Sequence, residues 1–542
     1  MRKFCVVAIG LSSLFLSGPD LCAQPARASY EDLVALFREW REFQRPAMRN
    51  GVPDYTPAAM ARQRRELPAL QRRLASIDPR AWPVSQQADH WIVRAEMNGL
   101  DFDHRVLRPW SRNPCFYAVL FTSQSDTPAR EGSFAYGAIE LWQYPLRLAP
   151  EKVAELRARF QALPVLLAQA KGNLVEDARD LWVLGSKVKQ GESGELQGFE
   201  KRIASIHPDL AADVRRAREA VDDFRAWLET KLPSKRKPSG VGIENYNWYL
   251  RNVHLSPYTW DAEKVLHERE LQRAYAQLRL EEHRNRLLPR LLPIATAEEF
   301  HRRFGAAVTE YIAFLHDKQV MSVDDAMDAA LREREGGFVP AESRDFFTEI
   351  EFRDPIVMRC HGTHWFDLLR MRREPHASPI RRGPLLYNIW DRRAEGFATA
   401  MEEMMMSAGL LDARPRSREL VSILVANRAA RGLAGHFIHS GEFRLEDAVR
   451  FAHEWTPNGW LRKDGATMWA EQQLYLEQPG YGTSYLGGKA QIERLLSDRA
   501  RQLGDQFSLA RFFDEFHASG LIPVSLIRWE MTGLKDEIDK LR

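Results

Sequence analysis

The chain has 542 residues, and its 77 lysines and arginines against 74 aspartates and glutamates give a formal net charge of +3. This near balance, with both signs interspersed, leaves no basic face for nucleic acid. The length exceeds what one simple core usually holds, so a fold that depends on disulfides is excluded as a necessity.

Met1-Arg2-Lys3 precedes an apolar run from Phe4 to Ser17, then Gly18-Pro19 and small residues. A basic start, an apolar run too short to span a bilayer and a small-residue region predict a signal peptide over residues 1–28. Cleavage is expected after Ala23 or Ala28. Leu21 occupies the position where lipidation needs a small residue, so simple cleavage is expected rather than a lipid anchor at Cys22. Loss of the leader lowers the net charge from +3 to about +2 for cleavage after Ala23, or about +1 after Ala28, and removes Cys5 and Cys22, leaving Cys115 and Cys360. No later run is apolar enough to cross a membrane, which predicts an exported, periplasmic protein.

Helix signals dominate the rest. Thr56-Pro57 is an N-cap followed by a first-turn proline, and Ala149-Pro150 opens a second helix. A long helix is predicted from Asp261 to about Arg286. Others are expected at 296–318, 323–334, 392–411, 416–439, 445–454, 464–477, 487–503 and 508–519. Strand-like alternation is confined to the region from Gly132 to Leu141. The fold class is therefore mainly α. The Pro/Lys/Gly-rich stretch 231–241 punctuates the interior as a solvated linker. It separates an N-terminal helical lobe, 29–230, from a C-terminal lobe, 242–542, with a deep groove between them. The aromatic segment Tyr246-Asn247-Trp248-Tyr249, with Tyr258 and Trp260, either lines a groove or fills a core.

The chemistry-bearing residues cluster in the C-terminal half. His361 and His364 are three apart, which predicts one shared helix face, and Glu395 and Glu402 lie two helical turns apart on a later helix. Two imidazoles and a carboxylate in this order form a ligand set for zinc. Cys360 reads better as a small buried residue than as a thiolate ligand. No intact H-E-x-x-H, G-x-S-x-G or phosphate-binding glycine loop is present.

In order along the chain, Gly242 with Tyr246, Glu281-Glu282-His283-Arg284-Asn285, Glu395-Gly396-Phe397-Ala398 to Glu402, Arg428 with Arg431 and His439, and Pro479-Gly480 with Ser484-Tyr485 and Gly488 resemble the bacterial exported family catalogued as domain of unknown function 885. The likeness spans about residues 240–530. It implies a helical zincin-like scaffold akin to metallopeptidases. The family's His-Glu-x-x-Pro-Gly-His-His segment is altered here. With Gly362 set on its glycine, Val357 and Met358 fall where the first histidine and the glutamate are expected. A valine cannot ligate zinc, and a methionine cannot take a proton from water.

The expected site is therefore rearranged. His361, His364 and Glu395 would bind the metal. Glu402 is the first candidate base, ahead of Glu403 and Glu351. Tyr485, with Tyr481 or His439, would donate to an oxyanion. Arg428 or Arg431 would pair with a substrate carboxylate. The function this implies is hydrolysis of peptides or envelope-derived peptides. The alternative is an inactive relative that binds peptides or serves as a periplasmic scaffold.

Overall fold

The structure, a computed structural model, describes Met1 and residues 28–542. The expected leader, with Cys22, lies outside the described residues apart from its two ends. The described chain is mainly α-helical, and its strands are two short pairs, Met48–Arg49 with Val52–Pro53 and Leu120–Phe121 with Ile139–Glu140. No helix among the described residues is long and apolar enough to cross a membrane.

Local capping signals mark where several helices start. Thr56 accepts a hydrogen bond from Ala59 N at the start of Pro57–Ala75, with proline in the first turn. Thr259 caps Trp260–Arg284 and Thr296 caps Ala297–Asp317 in the same way. The strand expectation over 132–141 reduces to Ile139–Glu140, because the rest forms an irregular loop with Gly132 and Gly137 at positive φ.

Much of the 231–241 stretch is exposed, but three of its residues, Lys235, Ser239 and Val241, are buried. Lys235 is buried, donates to the Glu176 carbonyl at 2.7 Å and lies 3.7 Å from the Trp182 ring centroid. Arg112 reaches the Ser239 carbonyl at 2.8 Å. These contacts tie the segment to the preceding helices, so its amphipathic lysine stem packs while its ammonium finds a carbonyl. One continuous apolar cluster runs from Leu33 to Leu541 and joins both halves.

Two helix crossings position the candidate site. Asp391–Ser407 packs along Tyr481–Leu503, and Ser417–Ser440 packs along Trp260–Arg284. The first crossing is closer than side chains allow. A Cβ at Gly396 would stand 2.5 Å from Gly488 Cα, and one at Gly488 would meet the Arg392 carbonyl. Both positions need glycine because backbone lies against backbone. Glu395 is thereby held next to the helix that begins at Tyr481.

Candidate metal centre

His361 and His364 do not share one helix. Pro355–His361 ends at His361, Gly362 caps it, and Thr363–Arg373 begins at once. The break still brings the rings together, with centroids 4.9 Å apart. From the following helix, Glu395 presents Oε2 at 3.4 Å from His364 Nε2. One ligand atom from each of His361, His364 and Glu395 can be chosen so that all lie within 4.8 Å of one another. Among the described residues, no other group of three such side chains converges this way.

Each member is supported from behind. The His361 Nδ1 atom lies 3.1 Å from Glu402 Oε1 and 3.2 Å from Arg428 Nη2, so Nε2 is the ring nitrogen left for a metal. Tyr481 donates its hydroxyl to Glu395 Oε1 at 2.8 Å. His364 Nε2 is buried and has no hydrogen-bond partner. A buried, orphaned imidazole nitrogen facing a carboxylate fits a cation between them.

The electrostatics are acidic. Burial would lower His364, but Asp126 and Glu395 outweigh it and push its pKa up to about 9. Burial opposes ionisation of Glu395 as well, yet His364, His361 and the Tyr481 hydroxyl bring its carboxyl down to about 2. His361 is held below the ordinary histidine value by burial, with the Arg428 charge adding to it and Glu402 opposing.

Other expected residues take different roles. Arg428 grips Glu402 in a buried bidentate pair, both bonds 2.7 Å, so neither is free as substrate clamp or base. Removing either partner would strand a buried charge, which explains why the pair persists. Glu403 is engaged by Arg273 and Lys489, and Glu351 by Arg359. Arg431 pairs with Glu471 and lies 4.6 Å from the Tyr485 ring centroid. Tyr485 belongs with Tyr475 and Tyr481 to a buried tyrosine cluster beside Glu395. His439 turns elsewhere: its Nε2 donates to the Tyr475 carbonyl at 2.8 Å and its ring packs on Tyr246. Cys360 is buried with its thiol on the Ile356 carbonyl, so it is core and not ligand. Val357 is buried in the main apolar cluster and Met358 packs against it.

Two residues from the N-terminal half complete the site, and nothing in the local sequence marks them. Glu131 Oε1 lies 3.2 Å from the same Tyr481 hydroxyl, whose single proton it shares with Glu395, and Ser125 donates to its Oε2 at 2.9 Å. Burial, with Asp126 and Glu395 nearby, raises the Glu131 carboxyl to about 7. The charge of Asp126 bears directly on His364. Both sit on the irregular loop between Phe121 and Ile139, where only long-range packing brings them to the site.

Comparison with known proteins covers part of this picture. Residues 365–531 match the family model described as bacterial protein of unknown function (DUF885), a span that includes Glu395, Glu402, Arg428 and Tyr481 and begins just beyond His364. No curated protein matches. Among solved structures, the chain is similar to a putative lipoprotein of unknown function from Shewanella oneidensis, with a TM-score of 0.68 and 15% identity over 93% of this chain and 100% of that one. It is likewise similar to the putative lipoprotein from Colwellia psychrerythraea, with a TM-score of 0.64 and 15% identity over 93% of this chain and 99% of the other. At that identity the likeness is one of fold, and it extends over nearly the whole chain.

Proposed function

We propose that the chain is an exported, metal-dependent hydrolase of peptides or peptide-like envelope fragments, built on a zincin-like helical scaffold with a rearranged ligand set. The observation that carries this reading is the convergence of His361, His364 and Glu395 within 4.8 Å, with the His364 Nε2 atom buried without a hydrogen bond and facing the Glu395 carboxylate at 3.4 Å. Two imidazoles and one carboxylate suit zinc. When bound there, zinc would supply Lewis acidity and lower the pKa of water toward neutrality.

The protein's own groups divide the remaining work. Glu402, fixed by Arg428, orients His361 through Nδ1. Tyr481 orients Glu395. Glu131 is the carboxylate left to take a proton from water, because Glu402, Glu403 and Glu351 are each engaged by cations and Met358 cannot serve. A carboxyl poised at about 7 is matched to proton transfer near neutral pH. Export is supported by the predicted leader and by the lipoprotein descriptions of the two structural relatives.

The test is metal content by plasma mass spectrometry on protein purified without chelator or immobilised nickel. The expected result is roughly one zinc per chain, lost in a folded His361→Ala/His364→Ala variant. Glu131→Gln should keep the zinc while its cleavage of a peptide library drops by about 10²–10⁴-fold. Absence of metal in the wild-type chain, before and after zinc addition, would sink the hydrolase reading in favour of a peptide-binding or scaffold role.

A further inference from the structure

Among the described residues, Asp103 is a largely buried acid that no hydrogen bond or ion pair engages: the residue is only 9% exposed, and its carboxylate oxygens keep access to solvent. Burial is the sole cause that displaces its pKa, upward to about 8. Such a group costs free energy in the folded protein unless something satisfies it.

The carboxylate faces a cavity of about 220 Å³. The walls are aromatic, with Tyr55, Trp110, Phe134, Tyr249 and Tyr387 among them. The negative charge of Asp103 bears on Tyr55, Tyr249 and Tyr387. A second carboxyl, that of Glu477, also lines the cavity, held by Asn113 at 2.8 Å. Among the described residues, no lysine, arginine or histidine lines it. Two acids among aromatic faces, with no cation to answer them, make a site that lacks only its positive charge.

The backbone around it is built at a cost. Asp103 opens one turn of π-helix, Asp103–Leu107, closed by Arg108 in a left-handed conformation with φ 42°. Tyr387 and Asn388 follow each other with φ 57° and 48°, and the Asn388 side chain is pinned to Gln478 Oε1 at 2.8 Å. Strained residues of this kind persist where the surroundings over-determine them, and π-turns are frequent at functional sites. Gly99, one turn before Asp103, leaves room for the Tyr387 ring, which a Cβ there would strike.

We propose that this cavity binds an organic cation, a substituted ammonium group, with Asp103 as its counter-ion and the tyrosine and tryptophan faces as its cage. The volume is below the roughly 300–1,000 Å³ of drug-sized pockets and suits a headgroup rather than a large ligand. Ring faces attract such a cation through their quadrupole, and the carboxylate supplies the full charge. The cavity adjoins the candidate metal centre through one loop, since Glu131 precedes the lining residues Gly132 to Phe134. Neither Asp103 nor the aromatic walls take part in the His361, His364 and Glu395 ligand set.

The experiment is calorimetric titration of the full-length protein with three probes: choline, its uncharged isostere 3,3-dimethyl-1-butanol, and a short lysine-containing peptide. Choline should bind at least about tenfold more tightly than the isostere, and Asp103→Asn should lower its affinity by a similar factor without reducing the unfolding temperature. Tyr387→Leu gives an independent variant, expected to weaken the cation but not the isostere. Preference for the lysyl peptide over choline would identify the amine of a peptide as the source, and the reverse a free quaternary ammonium. Equal binding of choline and its isostere, or no binding of any probe at millimolar concentration, would overturn the proposal.

Discussion

Glu395 and Asp103 are both buried carboxylates, and they stand at opposite ends of the scale. Glu395 faces His364, accepts from Tyr481 and is held down to about 2. Asp103 meets only burial and rises to about 8. The difference teaches that burial alone does not set the state of an acid; the partners delivered by neighbouring helices do. At the candidate metal centre, five helices and a loop converge to answer each charge. At the aromatic cavity the protein builds the walls and leaves the charge unanswered.

The most forceful way to break this comparison is to turn a satisfied acid into an unsatisfied one. Arg428→Ala leaves Glu402 buried without its bidentate partner and should cost about 3–5 kcal/mol, read by urea unfolding. A Glu402→Leu/Arg428→Met double variant should recover most of that loss, because it removes both charges.

Asp103→Asn sharpens the contrast from the other side. The folded pKa of Asp103, about 8, lies above the unfolded value of about 3.9. The folded state therefore holds the proton longer, and stability falls as pH rises from about 4 to about 8. In the asparagine variant that slope should vanish, with a gain of about 1–3 kcal/mol at pH 8.5 over the parent chain. Unfolding curves at pH 5 and 8.5 on extensively dialysed protein check it.

The mirror effect belongs to Glu395 in metal-free protein. Its folded pKa, about 2, lies below the unfolded value of about 4.3. The stabilisation is present above pH 4 and is lost as pH falls toward 2, an effect on the order of 1–2 kcal/mol that Glu395→Gln should abolish. The smallest effect is expected at the partly exposed Arg179–Glu446 pair, where Glu446→Ala should cost less than about 1 kcal/mol because solvent reaches Glu446 and Arg179 keeps Asp180 as a partner.

Helical segments were legible where chain chemistry acts over a few residues. The Thr56-Pro57 cap and the long helix expected from Asp261 hold in the structure, with Leu271 and Leu278 buried along it while Val265 is exposed. The helix expected from 487 instead starts at Tyr481, since Gly480 in the left-handed region turns the chain there. The shared helix face for His361 and His364 failed at Gly362, where one short helix ends and another begins. Their proximity survived because three residues cannot carry the rings far apart. Glu131, Asp126 and Asp103 were not legible, because each draws its meaning from groups hundreds of residues away or from having none.

By itself the sequence determined the helical class, the helix caps, the histidine pair with its glutamate and the apolar residues at Val357 and Met358. These depend on backbone preferences, spacing and side-chain chemistry, which are local. Only the tertiary structure decided that Glu402 belongs to Arg428, that Glu131 reaches the site from the other half of the chain and that Asp103 stands alone among aromatic rings. Those outcomes follow from helix crossings as close as Gly396 on Gly488, and the free energy of a buried charge is fixed by what such crossings place beside it.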